Sequence, residues 1–152
     1  MKKYSEIAVE NFKSGYNCAQ SVFITFAEDF GIDKETALKL SSSFGGGMGR
    51  LREVCGACSG MFMAAGLLYG YAGPEEGSVK SAHYALIREL AAQFEAVHGS
   101  IVCREILGKR AEVGGTPEKR TQEYYAVRPC VRCVRSAAEI LERYLSDHPV
   151  SE

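Results

Sequence analysis

No stretch of this 152-residue sequence approaches the ~20 consecutive apolar residues of a membrane span. The longest apolar run, from Met61 to Leu68 and on to Ala72, is broken by glycines. Charge of one sign is equally scarce. A formal net charge of −1 gives no reason to place nucleic acid among the main partners. Cysteine is too thin for a disulfide scaffold, at six residues in the chain against the ~8–10% such scaffolds carry. Lys2 and Lys3 lead into SEIAVENF and not into an apolar stretch, so no secretory signal is expected and the expected location is the cytoplasm. Internal repeats, low-complexity tracts and Pro/Ser-rich linkers are missing too, as are Ser/His/Asp and paired-carboxylate signatures.

What is present fits one globular domain over residues 1–152. Hydrophobic residues make up 46% and charged residues 24%, which excludes a disordered chain. Helical periodicity dominates, with no run of alternating strand pattern. A first amphipathic segment covers 4–14. Asn17, followed by Gln20, predicts a capping box opening a helix that carries Val22, Phe23, Phe26 and Phe30 and stops at Gly31. Asp33 caps a third helix, which leads into the loop FGGGMGR at 44–50. A fourth helix, from near Cys55 to about Tyr71, is apolar all round and belongs in the middle of a bundle.

After Gly73-Pro74 the stripe Val79, Ala82, Leu86, Leu90, Phe94 and Val97 predicts a long helix ended by Gly99. Ser100 is the expected cap of a short helix carrying Cys103. A polar loop spans 109–121, and the last helix starts near Pro129. The expected fold is therefore all-α, a single-domain bundle of about six helices around a central apolar helix.

The cysteines fall at informative places. Cys18, Cys55, Cys58, Cys103 and Cys130 each lie in or beside the first turn of an expected helix, with Cys133 one turn further on. Unpaired backbone N–H groups and the positive end of the helix dipole favour an anion there, and the thiolate is the form that attacks or ligates. At 3.6 residues per turn, Cys18 shares the stripe of Val22 and Phe26, Cys130 that of Val134, and Cys103 precedes Ile106 and Leu107 by three and four. These three are expected to point inward, while Cys133 is turned about 100° from Val134. Two outcomes follow: convergence of several thiols on one site, or scatter through the core as small hydrophobes. Uncompensated thiolates in an apolar bundle would be costly, so convergence calls for a cation, a shared proton or an iron–sulfur cluster. Residues 104–135 hold eight Lys/Arg against four Glu, with Arg128, Arg132 and Arg135 bracketing Cys130 and Cys133. These cations favour nearby thiolates, or they form an ordinary solvated face.

Two Cys-x-x-Cys pairs occur, Cys55-Gly-Ala-Cys58 and Cys130-Val-Arg-Cys133. The spacing suits dithiol exchange or bidentate metal ligation. The pairs lie much further apart than the ~15–20 residues of a zinc ribbon, and no βαβ context supports a thioredoxin-like motif. Neither pair is followed by His, so covalent haem attachment is not supported. FGGGMGR has neither the GxGxxG nor the GxxxxGK[ST] spacing and reads as a tight connection leading to Cys55. His83, His98 and His148 are isolated, and His98, near its helix end, is a weak ligand candidate.

Three strings, Asn17-Cys18-Ala19-Gln20-Ser21-Val22, Phe44-Gly45-Gly46-Gly47-Met48-Gly49 and Cys55-Gly56-Ala57-Cys58-Ser59-Gly60, together resemble the C_GCAxxG_C_C family of redox-active proteins. Cys103, in CREILG, and Cys130, ahead of Ala137-Ala138-Glu139-Ile140-Leu141, complete that pattern, so the resemblance covers nearly the whole chain. It implies four functional cysteines, Cys18, Cys55, Cys103 and Cys130, with Cys58 and Cys133 as additions. Relatives also resemble the cysteine-bearing region of split-Soret cytochromes, which implies an iron–sulfur centre.

The expectation is a small cytoplasmic redox protein in one of two chemistries. In the first, Cys18, Cys55, Cys103 and Cys130 ligate an iron–sulfur cluster, or zinc in its place, for electron transfer or redox sensing. In the second, Cys55 is an attacking thiol resolved by Cys58 or a converging cysteine. A helical binding module with buried free cysteines or structural zinc is the rival. The partner expected is a redox protein, with homo-oligomers allowed and neither nucleic acid nor membrane insertion expected.

Overall fold

Asn17 forms the capping box that its spacing from Gln20 predicts: its side chain accepts from the Gln20 backbone, and the Gln20 side chain accepts from the Asn17 N–H. This computed structural model describes residues 2–74 and 77–151. Helix α1 (Tyr4–Lys13) precedes the cap, and α2 (Cys18–Ala27) follows it and runs into a 3-10 turn ended by Gly31 at φ 94°. Asp33 caps α3 (Lys34–Ser41) by accepting from Thr36 N–H. Then come α4 (Gly56–Tyr69), α5 (Gly77–His98), α6 (Cys103–Leu107), α7 (Gln122–Val127) and α8 (Cys130–Asp147). Among the described residues there is no strand, only an isolated antiparallel bridge between Val54 and Val102. The protein is all-α.

Helix α4 lies at the centre, against α2, α5 and α8, while α1 packs on α2 and α8. Met61, Ala64 and Ala65 of α4 are fully buried with Phe12, Val22, Phe26, Leu90, Phe94 and Leu141 from the surrounding helices. Small residues let α2 and α4 approach closely. A Cβ on Gly60 would lie 2.6 Å from the Ala19 carbonyl oxygen, and one on Gly56 would lie 3.2 Å from Cys18 Cβ. This contact brings the start of α2 against the start of α4, and with them Cys18 and Cys55.

The glycine-rich segment makes the expected connection by an unusual path. Gly46, Gly47, Met48, Gly49 and Arg50 all have positive φ, between 57° and 70°, and Arg52 follows at 62°. A left-handed turn costs roughly 1–2 kcal/mol for each residue with a Cβ, so glycine at three of the five turn positions keeps it accessible. The turn returns the chain to a short ladder in which Cys55 N–H donates to Ile101 O (2.7 Å) and Cys103 N–H to Glu53 O (2.6 Å). That ladder ties the start of α6 to the start of α4.

Three local expectations need correction. Ser100 does not cap α6. Val102 occupies the cap position, and Ser100 Oγ instead accepts from Val102 N–H and donates to Glu105. The stripe of α5 is buried only at Leu86, Leu90 and Phe94, because its ends run past the neighbouring helices and leave Ala82, Val79 (44%) and Val97 (64%) exposed. Helix α7 was not expected. Thr121 caps it by accepting from Tyr124 N–H, and the polar loop ends there.

Candidate functional site

Cys18, Cys103 and Cys130 are the first residues of α2, α6 and α8, and Cys55 is the cap residue of α4. All four line one cavity of about 330 Å³, joined by Cys133. Convergence is thus the arrangement found, and scatter through the core is not. Cys58 does not line the cavity. It sits one turn into α4, fully buried, and is in contact with Cys55. All six cysteines are free.

Cys133 was expected to face away from the Val134 stripe, yet it is 2% exposed. Helix α8 is covered by α1, α2, α4 and α5 together, so a wider arc of its surface is buried than one stripe requires. Cys133 therefore reaches Cys55, and its Sγ lies 3.9 Å from His98 Nδ1. His98 Nε2 pairs in turn with Ser136 Oγ at 2.9 Å. Burial holds the His98 imidazole below its usual range, which favours the neutral ring. In the sequence, the only sign of Cys133's role was its i+3 spacing from Cys130.

The thiols are not equivalent. Cys55 is held well below the usual thiol range. S–H groups of Cys133 and Cys58 donate to it, and the Ala57 and Cys58 backbone N–H groups add to this at the open end of α4. The two donors, Cys58 and Cys133, are pushed up in consequence. Cys130 is drawn down to about 7, chiefly by a hydrogen bond from the Cys18 S–H, with the Arg128 guanidinium and the Tyr124 hydroxyl assisting against burial. Cys18 is raised by the same pairing, although Gly46 of the left-handed turn donates its N–H to the Cys18 sulfur. Burial raises Cys103, and Arg52 works against it.

Positive charge surrounds these sulfurs. Arg50, Arg52, Arg120 and Arg128 line the cavity, with Glu118 the one carboxylate among the described lining residues. Arg52 and Arg128 are buried, at 4% and 6% exposure. Arg128 pairs with Glu118, whereas Arg120 donates to the carbonyl oxygens of Phe12 (2.9 Å) and Tyr16 (3.0 Å). Arg52 donates from Nε to Glu112 O (2.9 Å) and from Nη1 to Cys103 Sγ (3.7 Å). Of the arginines expected near Cys130, only Arg128 turns inward, and Arg132 and Arg135 are exposed. Arg52 gave no signal in the sequence, because nothing local announces that its guanidinium meets a thiol on a distant helix.

Such a cavity can stabilise thiolates and keep them from bulk water. Among the described residues, no group of three or more His, Cys, Asp or Glu side chains is arranged so that it could hold a metal ion. No helix among the described residues is long and apolar enough to cross a membrane.

A family model described as "Putative redox-active protein (C_GCAxxG_C_C)" matches residues 16–144. No curated protein and no solved structure matches the chain.

Proposed function

The chain belongs to the C_GCAxxG_C_C family of redox-active proteins, and from that membership we propose that the cavity is the redox centre, with Cys18, Cys55, Cys103 and Cys130 holding an iron–sulfur cluster. One observation carries this reading: four thiols from four separate helix starts border a single cavity. The donor set suits such a group, being all sulfur with no His among the lining residues. A bound cluster supplies reversible single-electron transfer.

The chain's own residues prepare that site. Backbone N–H groups at the start of α4 and thiol donors favour the Cys55 thiolate, and Cys18, Tyr124 and Arg128 favour that of Cys130. The guanidiniums offset negative charge that an apolar bundle would otherwise resist. The role that follows is electron transfer or redox sensing with a partner protein, in a cytoplasmic setting.

A specific observation favours a second reading. Cys58 and Cys133 both hydrogen-bond Cys55, as resolving thiols would, so Cys55 attack followed by disulfide formation is the alternative chemistry. Iron, zinc and acid-labile sulfide analysis of anaerobically purified protein, with a visible spectrum, separates the two. Iron and sulfide in equal amounts with a broad charge-transfer band are expected. Metal-free protein with a reversible Cys55–Cys58 or Cys55–Cys133 disulfide would favour the second reading. A colourless protein whose thiols neither oxidise reversibly nor react fast would overturn both.

A further inference from the structure

Residues 111–120, which join α6 to α7, run across the mouth of the cavity. Gly115, Pro117 and Glu118 line it, yet all three are exposed, so this segment stands between the thiols and solvent. Every residue from 108 to 127 is exposed or half-buried, and Val113 is 63% exposed, so the segment adds almost nothing to the hydrophobic core. Its hold on the bundle is polar. Arg50 donates from Nη1 to Thr116 O (2.7 Å), Arg52 donates from Nε to Glu112 O (2.9 Å), and Glu118 pairs with Arg128. In return Gly114 N–H donates to Arg50 O (2.9 Å). At the far end Arg120 is fastened to the carbonyls of Phe12 and Tyr16. Between these ends Gly114 and Gly115 both sit at φ 73°, each with open space where a Cβ would project. A segment held by a few surface hydrogen bonds, with no buried apolar side chain, opens far more readily than the bundle unfolds.

We propose that residues 111–118 are a strap that gates the cavity, swinging at Gly114-Gly115 while Arg120 stays fastened. The need for a gate is steric. Cys55 and Cys103 are 7% and 8% exposed, too buried for a substrate disulfide or an incoming cofactor to touch while the strap is closed. Arg50 is the pin, since it holds the strap through both its guanidinium and its carbonyl. Two consecutive glycines adopt the left-handed closed form without steric penalty and leave the hinge free to change its backbone angles. The gate serves either chemistry proposed above, because both require entry to the cavity. A segment that only connected α6 to α7 would leave the thiols equally accessible whatever conformation it took.

The test is the rate at which fluorescein maleimide labels Cys55 and Cys103, resolved by mass spectrometry, in full-length protein reduced and freed of metal by a chelator. Wild type is compared with Gly114→Ala, Gly115→Ala and Gly31→Ala, with amide hydrogen exchange followed over residues 111–118. Alanine at Gly114 or Gly115 meets no neighbour and penalises only the left-handed closed form, so each should speed labelling of both thiols by on the order of fivefold or more. Gly31→Ala carries a like backbone penalty at φ 94°, outside the cavity lining and with nothing within 4 Å, and should leave labelling at the wild-type rate. Exchange within 111–118 should quicken in step with labelling in the two strap variants. Unchanged labelling in those variants, an equal rise in Gly31→Ala, or wild-type labelling as fast as in urea-unfolded protein would each overturn the gate. Because the protein is metal-free and reduced, these outcomes leave the redox reading untouched, and that reading stands or falls by the metal and disulfide analysis above.

Discussion

Cys18 hydrogen-bonds Cys130, joining the first residue of α2 to the first residue of α8, and the two thiols part in acidity as a result. The proton stays on Cys18, and Cys130 becomes the better anion. Their meeting requires α2 and α8 to start on the same side of the bundle.

That split predicts a pH profile. Cys130 carries its proton below about 7 and is a thiolate above it. Iodoacetamide labelling of Cys130 in metal-free protein, followed by mass spectrometry, should therefore accelerate as pH rises through 7. Cys18→Ala removes the chief cause and should move the midpoint upward. A profile centred at the ordinary thiol value in wild type would contradict the pairing.

Removing a sulfur that borders the cavity should have a different effect from removing one behind it. Cys55→Ser is expected to cut bound iron by on the order of tenfold or more, or to abolish the fast-reacting thiol, with far-UV circular dichroism nearly unchanged. Cys58→Ser, outside the cavity lining, should keep most of the iron. Unfolding of Cys55→Ser would point to a purely structural role.

The left-handed turn offers a stability comparison. At Gly47 a Cβ would meet Cys103 Cβ at 2.7 Å and Glu53 N at 2.8 Å, whereas at Gly49 it would meet nothing within 4 Å. Gly49→Ala should cost only the conformational term, roughly 1–2 kcal/mol. Gly47→Ala adds an overpacking cost of about 1–3 kcal/mol and should displace Cys103. Urea denaturation of the two variants measures the difference.

Asn17 has two jobs, capping α2 and donating from Nδ2 to Ser42 O (3.1 Å). Asn17→Ala should destabilise by about 1 kcal/mol or somewhat more through the lost cap. For a domain of this size that lowers Tm by roughly 2–4 °C per kcal/mol. Asn17→Asp, which keeps the cap acceptor but cannot donate to Ser42, should fall between, as differential scanning calorimetry would reveal.

Much of the fold was legible because its signals are local. Asn17 with Gln20, Asp33, Gly31 and Gly99 mark helix ends through hydrogen bonds and backbone freedom that reach only a few residues along the chain. The apolar surface of α4 announced a central helix for the same reason. Helix α7 escaped notice because six residues carry too short a period to register. Val79 and Val97 misled because a stripe shows which face is apolar without showing how far the partner helix extends.

The sequence by itself determined an all-helical chain, the placing of thiols at helix starts and the family pattern, since periodicity, capping and motif order are properties of short segments. Only the tertiary structure decided that those thiols border one cavity, that Cys133 joins them while Cys58 lies behind, and that Arg52 meets Cys103. The reason is physical: which helix starts meet depends on the close α2–α4 contact at Ala19 and Gly60 and on a glycine turn of left-handed sense, and both are settled by packing between distant segments.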